Sequence, residues 1–281
     1  MKITKKHVEE ANLKFFLANA TNYNKEESTY LPENKKRVRK ILKNIAKQSP
    51  GTFFDVGCGT GFLLDLAYPY FDQLFGIDIT QAMLDQVNLR GGKIKVVRGN
   101  SEKLPFESNK FNVCTAYGFL HHLYRLKPTL REIYRCMKKG GIFYSDQDPN
   151  YYYWKHLAEV GINKIDKKFV KKEILSVQDP DEGFRWKEMK GYNKTGKQTV
   201  SIAEYQKIFR GGIKEEVIKK IMSDIGFKDI KINYEWYLGE GYIIHKVSED
   251  TDRKILSYLR TCLPITRNLF KYVRITAKKI V

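Results

Sequence analysis

The segment 53–64 constrains the fold of this chain more than any other stretch. It opens with a short apolar run that suits a buried strand, and three glycines then stand at alternate positions, Gly57, Gly59 and Gly61. Apolar residues resume at helical spacing over 62–66. Glycine adopts backbone angles that other residues avoid, so a ligand can lie directly on the amides at the start of the helix. The pattern predicts a strand, a ligand-binding turn and a helix, and a tight turn without a ligand is the alternative.

The spacing of these glycines excludes two common nucleotide-binding motifs. A dinucleotide-binding loop has the pattern Gly-x-Gly-x-x-Gly, but Phe62 stands where its third glycine belongs. A P-loop needs Lys and then Ser or Thr after the last glycine, where this chain has Phe62 and Leu63. Two acids accompany the loop: Asp55 precedes it, and Asp78 ends a second apolar run about twenty residues later. At that position the carboxylate of Asp78 can accept both hydroxyls of a ribose.

The same residues resemble the class I S-adenosylmethionine-dependent methyltransferases, most closely the type 11 methyltransferase group. The resemblance covers residues 50–147 and keeps the order of the family's motifs. After the glycine loop these are 76–84 as the second strand and adenosine turn, 98–106 as the adenine-binding loop, 111–123 as the fourth strand and the loop after it, and 138–143 as the turn into the fifth strand. The chain departs from the family at Asn100, where an acid is usual, and at Lys139, where proline is usual.

The resemblance implies that S-adenosylmethionine is the cofactor and methyl donor, and that S-adenosylhomocysteine is the product. The residues that it implies for cofactor binding are Asp55, Gly57, Cys58, Gly59, Gly61, Asp78, Ile79, Met83, Asn100, Ser101 and Tyr117. Asn100 can still exchange hydrogen bonds with the adenine amine, but it carries no charge.

Methyl transfer from a sulfonium asks little of a protein beyond holding the acceptor in line with the methyl group and excluding water. His121 and His122 follow the fourth predicted strand, and either imidazole could act as a general base toward the acceptor. Histidine is frequent at the His122 position in similar methyltransferases with different acceptors, which favours packing or loop shape as the alternative role. Further candidates for the acceptor site, which the sequence does not rank, are Tyr117, Asp146, Asp148 and Tyr151.

The alternation of strand and helix patterns predicts an α/β fold, a Rossmann-like doubly wound sheet of about seven strands with an antiparallel last hairpin. We predict five segments: an N-terminal helical cap (1–48), a cofactor-binding core (49–150), an aromatic and basic insertion that forms a substrate lid (151–212), the last helix and strand hairpin of the core (213–250) and a basic amphipathic tail (251–281). The last two strands are predicted at 227–236 and 242–247. The aromatic residues of the insertion could instead pack it onto the sheet.

The tail after Pro264 has a helical pattern, with apolar residues on one side and basic residues on the other at about 100° per residue. The apolar residues are Ile265, Leu269, Val273 and Ile280, and the basic residues are Arg267, Lys271, Arg274 and Lys278. This pattern predicts a basic amphipathic helix. Either the helix lies on an anionic membrane surface, which favours a lipid-linked acceptor, or its apolar side packs against the protein's own lid.

The net charge bears on possible partners. The chain of 281 residues has 51 Lys and Arg against 32 Asp and Glu, a formal charge of +19. Such a charge favours RNA or anionic lipids, unless it reflects a Lys-rich proteome. No Cys-x-x-Cys pair and no His, Cys and carboxylate group with ligand spacing is visible, so we expect neither a disulfide nor a metal. The absence of a visible secretory signal or membrane span predicts a cytoplasmic protein, peripheral to the membrane if the tail binds lipid.

These observations predict a methyltransferase that passes a methyl group to a small-molecule or lipid-linked acceptor by direct in-line displacement. An RNA methyltransferase is the alternative that the net charge supports, although no recognisable RNA-binding module accompanies the core. A non-catalytic S-adenosylmethionine-binding module is a third hypothesis, suggested by Asn100 in place of an acid.

Overall fold

A seven-stranded mixed sheet forms the centre of the protein, whose computed structural model describes residues 2–26, 28–159 and 190–280. The strands are Thr52–Val56 (β1), Gln73–Asp78 (β2), Ile94–Arg98 (β3), Phe111–Tyr117 (β4), Met137–Pro149 (β5), Lys228–Tyr237 (β6) and Phe270–Lys278 (β7). Their order in the sheet is β3-β2-β1-β4-β5-β7-β6. Strands β1 to β5 pair in parallel, and β7 runs antiparallel to both of its neighbours. The predicted fold class is confirmed.

Helices pack against both faces of this sheet. They are Lys5–Asn19 (α1), Tyr23–Glu26 (α2), Pro32–Gln48 (α3), Phe62–Ala67 (α4), Gln81–Leu84 (α5), Leu126–Cys136 (α6), Tyr151–Glu159 (α7), Lys190–Ala203 (α8), Tyr205–Arg210 (α9), Glu215–Ile225 (α10), Glu240–Lys246 (α11) and Glu249–Thr261 (α12), with short 3₁₀ helices at Ser28–Tyr30, Arg90–Gly92, Leu120–His122 and Ile265–Leu269. Successive residues of a strand point to opposite faces. Phe53 accordingly packs in one core with residues of α3 and α4, and Phe54 packs in another with residues of α6 and α10.

The N-terminal segment predicted as a cap contributes to one of these cores. Val38 and Leu42 of α3 are fully buried in the core that contains Phe53. Pro32 opens α3, at a position where its missing amide hydrogen costs no intrahelical bond. The third helix of the predicted cap is therefore packed against the sheet itself.

The strand that completes the sheet lies at a different place in the chain from the predicted one. Residues 242–247 fall almost entirely within helix α11, so the prediction of a strand there is wrong. The partner of β6 is β7, at Phe270–Lys278. The apolar run at 242–244 is only three residues long, and so short a run fits a strand or a helical turn equally well.

The predicted amphipathic helix after Pro264 is also wrong, because most of that segment is strand β7. Val273, Ile275 and Ala277 are buried at alternate positions, which is the period of a strand. The segment 251–281 thus supplies the strand between β5 and β6 and is not an appended tail. A membrane-binding surface through 265–281 loses its basis, since the apolar side chain of Val273 lies inside the protein. Within the described ranges, no helix combines the length and the apolar character that a bilayer span requires.

The predicted lid, 151–212, is described at its two ends, and 160–189 lie outside the described residues. Tyr153 and Trp154 of α7 are buried. The ammonium of Lys207 on α9 lies 4.6 Å from the centre of the Trp154 ring. The guanidinium of Arg267 lies 3.5 Å from the centre of the Tyr152 ring. The Trp154 contact joins the two described ends of the insertion to each other, and the Tyr152 contact joins the insertion to the segment before β7. Its role as a lid stays a prediction.

We expect Ile275→Ala to lower the free energy of unfolding by about 2–5 kcal/mol. The side chain of Ile275 has no exposed surface, so its truncation leaves a cavity in the core. The matched control is Ile265→Ala. Ile265 is 86% exposed, so its loss should change stability by no more than about 0.5 kcal/mol. Urea titrations followed by circular dichroism measure both variants, and equal losses would contradict the placement of β7.

Candidate active site

The loop between β1 and α4 turns around two glycines that have side chains of other residues close beside them. Gly57 and Gly61 have φ values of +71° and +88°. A Cβ on Gly57 would lie 2.0 Å from Cδ2 of Phe119, and a Cβ on Gly61 would lie 3.1 Å from Cγ1 of Val87. Gly57 therefore requires glycine for packing as well as for backbone conformation, whereas at Gly61 the backbone conformation favours glycine and Val87 would have to shift slightly to admit a side chain.

Gly59 differs from its neighbours because the space beside it is open. Its φ is +51°, and among the described residues a Cβ there would meet only Cε of Met83, at 3.4 Å. The amide of Gly59 donates to Oδ2 of Asp78 at 3.0 Å, and Oδ1 of Asp78 accepts from the amide of Thr80 at 2.8 Å. Burial raises the pKa of Asp78, while these amide donors oppose the rise. Gly59, Asp78 and Met83 thus lie together beside a space that a ligand can occupy.

Cys58 precedes Gly59 in the chain, and Ile79 follows Asp78. Both residues make hydrogen bonds through their backbone. The amide of Cys58 donates to the carbonyl of Ile77 at 3.0 Å, which fastens the loop to β2. The thiol of Cys58 is buried, and burial raises its pKa. The carbonyl of Ile79 accepts from Nε of Arg98 at 3.1 Å. Neither side chain is needed to explain the shape of the loop.

Asp55 lies inside the sheet, just before the glycine loop. Its side chain accepts a hydrogen bond from Oγ1 of Thr115 at 2.7 Å, and the residue is 2% exposed. Burial raises the pKa of Asp55 to about 7, against the effect of the Thr115 hydrogen bond, and the charge of Asp78 adds to the rise. The structure therefore gives Asp55 a partner within the sheet.

Asn100 meets a carboxylate from the far N-terminus. Its amide group donates to Oε1 of Glu9 on α1 at 2.8 Å, while its oxygen accepts from the amide of Glu102 at 2.9 Å. The hydroxyl of Ser101 lies 3.0 Å from that of Thr129. Glu9 thus places a carboxylate beside Asn100, the position at which similar methyltransferases usually have an acid. The sequence could not show this, because Glu9 and Asn100 are 91 residues apart.

Residues before β1 also reach the end of the sheet that carries the glycine loop. The hydroxyl of Tyr30 lies 2.6 Å from that of Thr60, and its ring lies 5.0 Å from the ring of Phe62. The hydroxyl of Tyr117, at the end of β4, accepts from Nδ2 of Asn34 at 2.8 Å. These contacts hold the N-terminal segment against the carboxyl ends of the strands.

An irregularity in β5 sends two buried acids to different partners. The pairing register with β7 shifts between Ser145 and Asp148, and Gln147 has a φ of +63°. Asp146 accepts from Nη1 of Arg37 on α3 at 2.8 Å, whereas Oδ1 of Asp148 lies 2.9 Å from Nδ1 of His121. Residues two apart share a face in a regular strand, and a bulge breaks that relation.

The two predicted histidines lie side by side, with ring centroids 4.0 Å apart. Nδ1 of His122 lies 2.9 Å from the carbonyl oxygen of Ala203. A carbonyl can only accept, so Nδ1 carries the hydrogen and Nε2 keeps a lone pair that can take a proton or a metal ion. Nε2 of His121 lies 3.6 Å from Oε1 of Glu204, a residue that sequence spacing did not reveal.

The surroundings of the two imidazoles shift their pKa values in opposite directions. Burial alone would lower the pKa of His121, but Glu204 and Asp148 raise it to about 9. Burial and the neighbouring His121 lower the pKa of His122 to about 3. The pair therefore places one cationic and one neutral ring at the end of β4 near neutral pH.

Comparisons with known proteins agree with the fold and the loop. Residues 54–145, about a third of the 281-residue chain, match the family model described as a methyltransferase domain, of the type 11 group. The malonyl-[acyl-carrier protein] O-methyltransferase of Legionella pneumophila is 32% identical over 121 residues, which cover 37% of this chain and 42% of that protein. The demethylmenaquinone methyltransferase of Staphylococcus saprophyticus is 31% identical over 111 residues, covering 37% and 47%.

Among solved structures, a SAM-dependent methyltransferase from Archaeoglobus fulgidus superimposes with a TM-score of 0.52 and 22% identity, covering 87% of this chain and 92% of that chain. The chain spans less than half the length of the curated relatives that it matches. Residues 54–145 are a class I S-adenosylmethionine-dependent methyltransferase domain, as the motifs predict.

We expect the contribution of Asp55 to stability to fall as the pH rises from about 4 to 7, because burial raises the pKa of Asp55 in the folded protein to about 7, above the usual range of an aspartate. In that range the folded protein keeps a proton on Asp55 that the unfolded chain has lost. The free energy of unfolding therefore falls by up to about 1.4 kcal/mol for each pH unit. Asp55→Asn should remove this contribution while keeping an oxygen for Thr115. Urea unfolding of both proteins across this range is the measurement, with the exposed Asp72→Asn as control. Parallel pH profiles for wild type and Asp55→Asn would refute the expectation.

Proposed function

We propose that the protein transfers the methyl group of S-adenosylmethionine to a small-molecule or lipid-linked acceptor by direct in-line displacement. The observation that carries this proposal is the open space beside Gly59, next to the carboxylate of Asp78. Asp78 accepts one backbone hydrogen bond on each oxygen, which leaves lone pairs for the two hydroxyls of a ribose. A glycine loop with one open position and an acid at the end of the next strand suits a nucleoside cofactor.

Different residues would hold different parts of this cofactor. The ribose lies on Asp78, and the adenine lies beside Asn100 and Ser101. The backbone of the glycine loop contacts the rest of the S-adenosylmethionine molecule. Because Asn100 already donates to Oε1 of Glu9, the second oxygen of Glu9 becomes the acceptor for the adenine amine. Asp55 supports the loop from inside the sheet.

Bound S-adenosylmethionine supplies a methyl group on a positively charged sulfur, which needs no nucleophile from the protein. The protein's own part is to orient the acceptor and to exclude water. Tyr30 and Asn34, which hold the N-terminal segment against the strand ends, serve the exclusion of water. A role of His121 or His122 as general base stays a prediction.

The acceptor class rests on the relatives and on composition. The two curated relatives named above act, by their names, on a malonyl group carried by a protein and on demethylmenaquinone. They support a small or lipid-linked acceptor for this chain. The net charge of +19 supports RNA as the alternative.

We expect Asp78→Ala to weaken S-adenosylmethionine binding by about 1.5–3 kcal/mol, the range for hydrogen bonds to a charged group. Gly59→Val should bind more weakly still, because its side chain would fill the open space and β-branched residues disfavour a positive φ. Isothermal titration calorimetry measures both, with the exposed Asp72→Ala as the matched control. Unchanged affinity in a folded Asp78→Ala protein would contradict the cofactor site.

We expect the methyl group of isotopically labelled S-adenosylmethionine to appear in the small-molecule or lipid fraction of extracts from the source cells. Lipid, RNA and small-molecule extracts are incubated separately with the protein, and Asp78→Ala serves as the control for enzyme-dependent transfer. Label in RNA would favour the alternative acceptor. No transfer to any fraction, with cofactor binding intact, would favour a non-catalytic binding module.

A further inference from the structure

Three side chains with metal-ligating atoms meet at the loop after β4. His121, His122 and Glu204 each offer one such atom, and these atoms all lie within 4.8 Å of one another. Nε2 of His121 is 3.6 Å from Oε1 of Glu204. Ligands of one ion at bond lengths of about 2.0–2.2 Å stand roughly 3–3.5 Å apart. The side chains would therefore have to move closer to hold one ion, and the ring of His122 would have to turn, because its Nδ1 is the nitrogen 3.8 Å from Oε1 of Glu204.

Both imidazoles are held as the imidazoles of metal-bound histidines are. Oδ1 of Asp148 lies 2.9 Å from Nδ1 of His121, and Oδ2 of Asp148 accepts from the hydroxyl of Ser145 at 2.8 Å. Nδ1 of His122 donates to the carbonyl of Ala203. A carboxylate or carbonyl on one ring nitrogen is the usual outer partner of a histidine that binds a metal through the other nitrogen. In His121, Nε2 is the atom left to bind and it faces Glu204. In His122, Nε2 is also the atom left to bind, but the nitrogen that lies 3.8 Å from Oε1 of Glu204 is Nδ1.

Burial and charge also suit a cation. The side chains of His121 and His122 are 11% exposed and that of Glu204 is 8% exposed. Asp148 and Glu204 place two carboxylates around His121. The ammonium of Lys207 lies 3.5 Å from Oε2 of Glu204, so Oε1 is the oxygen directed at the imidazoles.

We propose that His121, His122 and Glu204 bind a divalent first-row transition metal ion, such as Zn²⁺ or Fe²⁺. Two imidazoles and one carboxylate suit these ions, whereas Mg²⁺ and Ca²⁺ prefer ligand sets made of oxygen. Asp148 and the carbonyl of Ala203 act as positioning groups. Three protein ligands leave a coordination position open, which an oxygen of the acceptor could fill. Only that last role rests on the proposed function.

The test titrates Co²⁺ into the full chain, free of any affinity tag and previously treated with chelator. We expect about one Co²⁺ to bind per chain and to give the visible absorption of four- or five-coordinate Co²⁺. Added Zn²⁺ should displace the Co²⁺ and abolish this absorption. His122→Gln and Glu204→Gln should each weaken binding at least tenfold. Asp148→Asn should weaken it about 10- to 100-fold through the orientation of His121. His156→Gln is the matched control, because His156 is an exposed histidine and its loss should change nothing.

Wild-type protein that binds no Co²⁺ overturns the proposal without reference to any variant. So does a folded Glu204→Gln protein with unchanged affinity, or an equal loss in His156→Gln. If the variants do not fold, proton NMR of the Co²⁺-loaded wild type decides, since two shifted exchangeable imidazole signals are expected and their absence overturns the proposal. None of these measurements uses S-adenosylmethionine. Calorimetry with that cofactor tests the proposed function separately, so either one can fail alone.

Discussion

Hydrogen bonds between the glycine loop and the end of β2 fix the part of the sheet on which the candidate site depends. The amides of Gly57 and Cys58 both donate to the carbonyl of Ile77, at 2.8 and 3.0 Å, and the amide of Gly59 donates to Asp78. The first two bonds join the ends of β1 and β2 through backbone atoms alone, and the third ends on the side-chain carboxylate of Asp78. They are possible because Gly57 has no Cβ, which would collide with the ring of Phe119. The loop can therefore present its backbone to a ligand at a position set by the sheet.

Several cations of the C-terminal segment have acidic partners inside the protein. Arg274 of β7 and Arg260 of α12 each lie 3.0 Å from Glu235, and Arg37 of α3 lies 3.8 Å from the same carboxylate. Glu235 is 4% exposed, and a buried carboxylate of this kind needs cationic partners to offset its desolvation. This network connects the C-terminal strand to α3, and α3 in turn reaches Asp146. The basic residues that suggest a lipid surface in the sequence thus serve in part to attach β7 and α12.

Two further tail cations show the same relation. Arg267 lies 3.4 Å from Glu216 and Lys278 lies 3.7 Å from Asp229. Both contacts are partly or well exposed, and such pairs contribute little to stability. Their acidic partners lie on α10 and on β6. A helical-wheel analysis of residues 265–281 alone does not include those partners.

Local signals explain which features the sequence could predict. The glycine loop and Asp78 lie within about 25 residues, and the parallel sheet brings them together without help from distant segments. The strand β7 was missed because Leu269 and Val273 fit a helical period, while the alternation of Val273, Ile275 and Ala277 also fits a strand. Only pairing with β5 and β6 decides between the two. Glu9 and Glu204 could not be predicted at all, since no spacing in the sequence relates them to the loops that they approach.

The junction of α8 and α9 packs against the loop after β4, which carries His121 and His122. A ligand bound by this loop would therefore affect how the junction packs. Nε2 of Gln206 donates to the carbonyls of Leu123 and Tyr124, at 2.7 and 3.2 Å, and His122 donates to the carbonyl of Ala203. Val200 of α8 packs with Phe15 of α1 in a small core of its own. A ligand that needs Glu204 in place can bind only when this junction is packed. Binding therefore stabilises the packed junction by RT ln(1 + [L]/Kd), about 2.7 kcal/mol at one hundred times Kd. A ligand that contacts both Glu204 and the histidines would link the described end of the insertion thermodynamically to the loop after β4.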